Sequence, residues 1–248
     1  MRAMILAAGK GTRLRPLTDA IPKPLIEVAG HPMIAFPLRL LRAAGIEEVV
    51  INLHHLGDQI RRSLGDGREY GVHITYSEEN PILDTGGAIA AARRFLEPET
   101  FVVLNSDTFI ELSLQAVIDF HRRYGATGTM VVRADPDALR HDRIRLDTTR
   151  RMRRIYDQPD GGVPNAQAPT AAELPTPFMY TGVLVLDPRV FAYIPPGVSS
   201  LTRDVYPRLL AAGEALYGYV HDGYWRVLDT PDDLAAGRRE ISLRGLEA

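Results

Sequence analysis

Ala3-Met4-Ile5-Leu6-Ala7-Ala8 runs directly into Gly9-Lys10-Gly11-Thr12-Arg13, and this junction decides the fold class. An unbroken apolar run fits a strand buried on both faces, as strands of a parallel sheet are. The glycines that follow let the backbone turn and approach a ligand closely, so that backbone amides can cradle phosphate. The loop is not a Walker A loop, because no Gly-Lys-Thr closes a four-residue gap after Gly9. Nor is it a dinucleotide fingerprint, because Leu14 stands at the third glycine position.

Outward from this junction, short apolar runs alternate with amphipathic stretches, the pattern of an α/β fold with a largely parallel sheet. The pattern predicts strands over 3–8, 48–53, 73–76, 101–105 and 128–132. Helices are predicted over 32–44, 58–64, 86–95 and 113–124, the last capped by Ser113. Beyond that the rhythm changes to a hairpin, 143–146 with 152–156, and a Pro- and Gly-rich stretch, 158–177, long enough to be a functional loop. Late strands are expected over 183–186, 216–220 and 225–228, with helices near 188–192 and 201–212. Thr230-Pro231-Asp232-Asp233 reads as a helix start: cap, proline at the first helical position and acidic residues in the first turn.

Composition narrows the function classes. The chain has 248 residues, 45% hydrophobic and 24% charged, with a formal net charge of -2. That is ordinary for a globular protein and lacks the basic excess of a nucleic-acid binder. Cysteine is absent, which excludes disulfides and thiolate catalysis and is compatible with a reducing cytosol. The first apolar stretch is too short for a signal-peptide core or a membrane span. The expectation is a cytoplasmic protein without membrane or nucleic-acid partners; its oligomeric state is not legible.

The phosphate loop belongs to a wider constellation: Leu6 to Thr18, then Pro22-Lys23-Pro24-Leu25, then Val28 and Gly30-His31-Pro32-Met33-Ile34. It closely resembles the N-terminal signature of the nucleoside-diphosphate-sugar pyrophosphorylases, the sugar-1-phosphate nucleotidylyltransferases. The resemblance implies a Rossmann-like, glycosyltransferase-A-like fold: a mixed, mostly parallel sheet flanked by helices, with a small sugar-binding β insertion. It implies one domain, 1–248, with a nucleotide part at about 1–132, a sugar part at about 133–229 and a terminal helix at about 230–243. Leu6, Ala8, Gly9, Gly11 and Thr12 are then nucleotide-binding, and Arg13 and Lys23 catalytic. Physically, Arg13 can clamp phosphate oxygens in a bidentate way. Lys23 is a point charge on a segment stiffened by two prolines. Leu83-Asp84-Thr85-Gly86-Gly87-Ala88 resembles the family's base-binding loop, so Gly86 and Gly87 are expected to meet the base, with Glu78 as a further polar candidate. The alternative for the glycine pair is a plain turn. Asp107, at the end of a buried strand, matches the family's metal aspartate and suits Mg²⁺; otherwise it caps or braces a turn. Asn105, Asp157, Thr181, Gly182 and Trp225 are sugar-side candidates, with Trp225 equally able to be core.

Two departures from the family pattern stand out. Where many relatives carry Glu-Lys-Pro, this chain reads Asp157-Gln158-Pro159; Gln158 cannot neutralise phosphate, which leaves that role to a group such as Arg203 or Arg143. Where a second metal aspartate is expected in the Trp225 to Pro231 motif, Val227 stands, and Asp229 occupies the usual glycine position. Asp229 is therefore the second expected metal ligand. The substrates implied are a nucleoside triphosphate and a sugar 1-phosphate, itself an anionic nucleophile that needs no covalent intermediate. The short chain resembles both the mannose-1-phosphate guanylyltransferase-like and the N-acetylmuramate-1-phosphate uridylyltransferase-like branches, of which the guanylyl branch is the expectation; thymidylyl transfer to glucose 1-phosphate and a non-catalytic nucleotide-sugar sensor stay open.

Overall fold

The computed structural model describes residues 1–135, 143–156 and 172–244; Asp157 and Gln158 lie outside them. In chain order the elements are β1 (Arg2–Leu6), α1 (Leu17–Ala20), β2 (Glu27–Val28), β3 (His31–Pro32), α2 (Ala35–Ala43), β4 (Glu48–Leu53), α3 (Gly57–Leu64), β5 (His73–Glu78), α4 (Asp84–Ala91) and α5 (Arg93–Leu96). They continue with β6 (Phe101–Asn105), β7 (Thr108–Ile110), α6 (Leu114–Arg123), β8 (Gly128–Ala134), β9 (Arg143–Leu146), β10 (Met152–Tyr156), β11 (Phe178–Leu186), α7 (Tyr206–Ala211), β12 (Leu216–Val220), β13 (Trp225–Val227) and α8 (Pro231–Arg244).

The main sheet runs β10-β9-β11-β6-β1-β4-β5, with β8 joined to β11 and β12 to β8. Pairing is parallel for β1 with β4, β1 with β6 and β4 with β5, whereas β11 enters antiparallel against β6. The chain moves from β1 to β4 and β5 on one side, then crosses to β6 on the other. The reversal leaves a crevice beyond the carboxyl ends of β1 and β6, the place where open α/β sheets bind ligands. Side-chain alternation in these strands feeds two apolar layers. Met4, Phe101 and Val103 pack on Leu96, Phe191 and Leu209; Ala3, Ile5, Val102 and Leu104 pack on Leu38, Leu41, Ile60 and Val117.

A third cluster matters most for function. Leu14, Ile26, Val28, Met33, Phe109, Leu228, Leu234 and Ile241 are packed together. Leu14 and Leu228 are 2% and 0% exposed, and burying each such side chain contributes roughly 1.5–3 kcal/mol. The cluster pulls the 9–13 loop, the turn after Lys23 and the chain leaving β13 into one place, so that their polar neighbours meet above it.

Several boundaries differ from the sequence pattern for visible reasons. β1 ends at Leu6, because Ala7 N–H turns away to the side chain of Asn52. α2 starts at Ala35, since Pro32 pairs with Glu27 in a short ribbon. The stretch expected as one helix over 86–95 is two, α4 and α5, and α4 begins two residues earlier, at Asp84. α3 starts at Gly57, one residue before the expected 58, and the His54 and His55 rings that precede it donate to the carbonyls of Glu79 and Thr18. At α8 the Thr230 hydroxyl accepts from Asp233 N–H while the Asp233 carboxylate accepts from Thr230, a reciprocal cap. Among the described residues no helix is long and apolar enough to cross a membrane.

Candidate active site

Leu6 ends β1 in register with Asn52 on one side and Asn105 on the other. Each polar residue lies at or next to the carboxyl end of a largely apolar strand. Asn52, 4% exposed, accepts from Ala7 N–H at 2.7 Å and donates to Glu79 Oε1 at 2.7 Å. The Glu79 carboxylate also accepts from Leu83 N–H at 2.8 Å. This buried chain of hydrogen bonds fixes the root of the 9–13 loop against the segment that follows β5. Gly11 needs to be glycine on two counts: its φ is +61°, and an added Cβ would lie 2.8 Å from the Thr18 methyl and 3.2 Å from Lys23 Cβ. Its carbonyl accepts from the Thr18 hydroxyl at 2.8 Å.

Lys23 opens a short helical turn after Pro22, and its residue exposure is only 9%. Its ammonium meets two carboxylates, Asp107 Oδ2 and Asp229 Oδ1, the latter at 2.5 Å. The other oxygen of Asp229 accepts from Arg13 Nη2 at 2.8 Å. The two carboxylates converge because of a small ribbon: β13 pairs antiparallel with β7, Val227 opposite Thr108. Asp107 immediately precedes that pair, and Asp229 follows two residues after it. Leu228 between them drops into the third apolar cluster, which turns Asp229 toward Lys23. Burial lowers the Lys23 pKa, but the Asp107 and Asp229 carboxylates outweigh it and hold the value above the ordinary one. Lys23 is therefore charged at neutral pH. Arg13 stands at the rim, with its side chain 66% exposed.

These groups line a cavity of about 310 Å³ that brings together Leu6, Ala8, Gly9, Gly11, Thr12, Arg13, Lys23, Asn105, Asp107 and Asp229. Asn52, Glu79, Asp84 and Thr85 line it as well. A second cavity of about 430 Å³ shares Leu6, Asp84, Thr85 and Asn105 with the first and extends to Met130, Tyr180, Leu184 and the turn Ser200 to Arg203.

Other expected residues stand elsewhere. Glu78 points away from both cavities into an ion pair with Arg61, and its neighbour Glu79 faces the site instead. The strand alternation that turns Glu78 outward turns Glu79 in. Gly86 and Gly87 line neither cavity. Both amides donate to the Ser199 carbonyl, at 2.7 and 3.1 Å. A Cβ on Gly86 would lie 2.9 Å from that oxygen, and one on Gly87 would lie 2.5 Å from the Gly197 carbonyl. The pair is a packing seam between α4 and the 197–200 segment, and its amides are engaged there. Thr181 is 1% exposed and its hydroxyl donates to Val131, while its carbonyl accepts from the Trp225 indole N–H at 2.8 Å. Gly182 has φ +91° where β11 comes close to Asn105 and Thr108. Neither residue lines either cavity, nor does Trp225. Asn52 and Glu79 escaped sequence reasoning. The available signal for Asn52 was a single amide in an otherwise apolar strand.

Asp107 and Asp229 form a hard-oxygen pair already bracketing a cation, the Lys23 ammonium. Among the described residues no cluster of three or more acidic, histidine or cysteine ligands occurs. Two carboxylates, with the remaining positions left to phosphate oxygens and water, is how Mg²⁺ is usually held, so the residues fit that ion.

The chain matches the family described as Nucleotidyl transferase over residues 2–242, and it belongs to that family. It is 34% identical over 239 residues to a UTP--glucose-1-phosphate uridylyltransferase of Synechocystis sp., covering 91% of this chain and 59% of the relative. It is 33% identical to a mannose-1-phosphate guanylyltransferase of Mycobacterium tuberculosis, covering 98% of this chain and 65% of the relative. The chain thus spans 59% and 65% of the length of these curated relatives. Among solved structures, HddC from Yersinia pseudotuberculosis superposes with a TM-score of 0.79 at 22% identity, covering 97% of this chain and 99% of that one. A Bacillus anthracis protein in complex with a sucrose superposes at 0.82 with 23% identity, covering 98% and 95%. At such identities the likeness concerns the fold, which is the glycosyltransferase-A-like nucleotidyltransferase fold that the N-terminal signature implied.

Proposed function

We propose that the protein transfers a nucleotidyl group from a nucleoside triphosphate to a sugar 1-phosphate, giving a nucleoside-diphosphate sugar and pyrophosphate. The observation that carries this reading is the arrangement at the sheet's switch point: Lys23 between Asp107 and Asp229, with Arg13 on the far oxygen of Asp229. Asp107 and Asp229 would hold Mg²⁺, which when bound shares phosphate oxygens and neutralises charge on the triphosphate. The Gly9 to Thr12 backbone cradles the phosphates. Lys23, released from its carboxylates yet still charged, meets the α-phosphate and the incoming sugar phosphate. Arg13, exposed at the rim, turns from Asp229 to the departing pyrophosphate. The sugar phosphate supplies its own anionic oxygen for in-line attack on the α-phosphorus, so positioning and charge neutralisation carry the rate.

In this reading residues 1–132 hold the nucleotide and residues 133–229 the sugar, with Asp84, Thr85 and Asn105 at the border. Glu79, fixed by Asn52 and Leu83, takes the place first given to Glu78 beside the base. The preferred acceptor and donor are mannose 1-phosphate and GTP, favoured by the Mycobacterium tuberculosis relative; UTP with glucose 1-phosphate is favoured by the Synechocystis one. A cytoplasmic location fits this reading, in which nucleoside triphosphates are substrates. Pyrophosphate release from a matrix of four triphosphates and a panel of sugar 1-phosphates, with Mg²⁺, tests the proposal. Release with one pair names the substrates. Nucleotide-sugar binding without release from any pair would instead identify a sensor.

A further inference from the structure

The second cavity contains a cation that the reading above does not use. Arg203 lies in the π-helical turn Leu201–Val205, and this turn is fastened to the start of α4. Ser199 N–H donates to Leu83 O at 3.0 Å, Gly86 and Gly87 N–H donate back to Ser199 O, and Leu201 N–H donates to Thr85 Oγ1 at 2.8 Å. The close approach is what the two glycines permit. On this rigid base the Arg203 guanidinium, 50% exposed, donates from Nη2 to Asp84 Oδ2 at 2.8 Å. Asp84 lines both cavities and has φ +59°, which places its carboxylate at the border between them. Among the described residues lining the second cavity, Arg203 is the one cation and Asp84 the one anion.

An acceptor whose body occupies the second cavity must bring its nucleophilic oxygen to a phosphorus held in the first. Its phosphate therefore lies at the border, where Asp84 and Arg203 already meet. A dianionic phosphate accepts two hydrogen bonds from one guanidinium, and an ion pair as exposed as this one adds little by itself to stability, so a phosphate can displace the carboxylate. We propose that Arg203 binds the phosphate of the sugar 1-phosphate acceptor, exchanging Asp84 for it. This rests on the nucleotidyl-transfer reading and adds to it the residue that positions the acceptor.

The test is calorimetry of glucose 1-phosphate and mannose 1-phosphate, whose sugars are neutral, and of N-acetylmuramate 1-phosphate, whose sugar carries a carboxylate. Each is titrated into wild type, Arg203→Gln, Arg203→Lys and Asp84→Asn, loaded with Mg²⁺ and a non-hydrolysable triphosphate. For the acceptor that wild type binds, Arg203→Gln is expected to weaken affinity at least about tenfold, as loss of a charged hydrogen-bond partner does. Arg203→Lys should recover part of the loss, and triphosphate affinity should stay within about twofold. Asp84→Asn is expected to strengthen acceptor binding, because the competing carboxylate is gone while Asn tolerates positive φ. That change of opposite sign is one a merely structural pair would not give. Thermal midpoints within about 3 °C of wild type check folding. Unchanged acceptor affinity in Arg203→Gln overturns the proposal, as does a loss confined to the carboxylate-bearing sugar, which would place Arg203 on the sugar. Wild type that binds no sugar 1-phosphate overturns the functional reading itself, a result distinct from either.

Discussion

Replacing Asp229 by alanine tests whether the carboxylate two residues beyond Val227 has taken over metal binding. Asp229 contacts Lys23 at 2.5 Å and Arg13 at 2.8 Å. Its loss leaves Lys23 paired with Asp107 and Arg13 in solvent, so no buried charge is orphaned. The stability cost should stay near about 1 kcal/mol, below the 3–5 kcal/mol typical of stranding a buried partner. The metal term is larger. A unit charge about 4 Å from a divalent cation is worth about 2 kcal/mol even at the dielectric constant of water, so the apparent affinity for Mg²⁺ should fall about 30-fold or more. Two readouts are available: the Mg²⁺ dependence of pyrophosphate release, and direct Mn²⁺ binding by electron paramagnetic resonance, which needs no turnover. Adding Val227→Asp in the same chain should recover part of the loss, because Val227 lies opposite Thr108, one residue from Asp107. If Asp229→Ala binds the metal within about threefold of wild type, Asp229 is an internal counter-ion for Lys23 and Arg13 and the reasoning is refuted.

Arg13→Ala and Lys23→Ala should each cut turnover at least about a hundredfold with circular dichroism unchanged; near-normal turnover at saturating Mg²⁺ and substrates would remove that residue from the mechanism. Because the Lys23 pKa is raised above its ordinary 10.5, its charge and the stability it contributes persist through neutral pH and are lost only as pH climbs through that raised value, so urea titrations of the free protein should show no alkaline loss of stability from Lys23 below about pH 10. Gly86→Ala should lower the thermal midpoint by several degrees, since the new methyl meets the Ser199 carbonyl, a strain of about 1–3 kcal/mol; selective loss of triphosphate binding at an unchanged midpoint would restore the base-contact role. His121 is buried, which pushes its pKa down from 6.5 to about 4. Unfolding therefore takes up a proton between those values, and stability falls as pH drops from 6.5 to 4, by up to about 3 kcal/mol. Urea titrations of wild type and His121→Gln should differ in that window and run parallel above it.

The division between what the sequence disclosed and what it withheld follows the range of the forces involved. Strand over 48–53 and the hairpin 143–146 with 152–156 were legible to the residue, because alternation and turn chemistry are local. The turn at Gly11 was legible because its backbone geometry is imposed by near neighbours, Thr18 and Lys23. Long-range packing was not. Nothing within Gly86-Gly87 announces that Ser199, more than a hundred residues on, lies against them; the glycines signal a close approach without saying to what. The Glu78 and Glu79 pair shows the same limit at the smallest scale. Both are acidic residues at the end of β5, and only the direction in which the strand ends, set by its pairing with β4, decides which one faces the cavity. Asp229 lies between these cases. Its displacement from the Val227 position was visible in the motif, but its arrival at Lys23 depends on Leu228 being drawn into a cluster with Leu14, a contact across most of the chain. The displaced carboxylate reaches the site because the apolar residue before it is anchored, so Leu228→Ala should loosen Asp229 as well as the core.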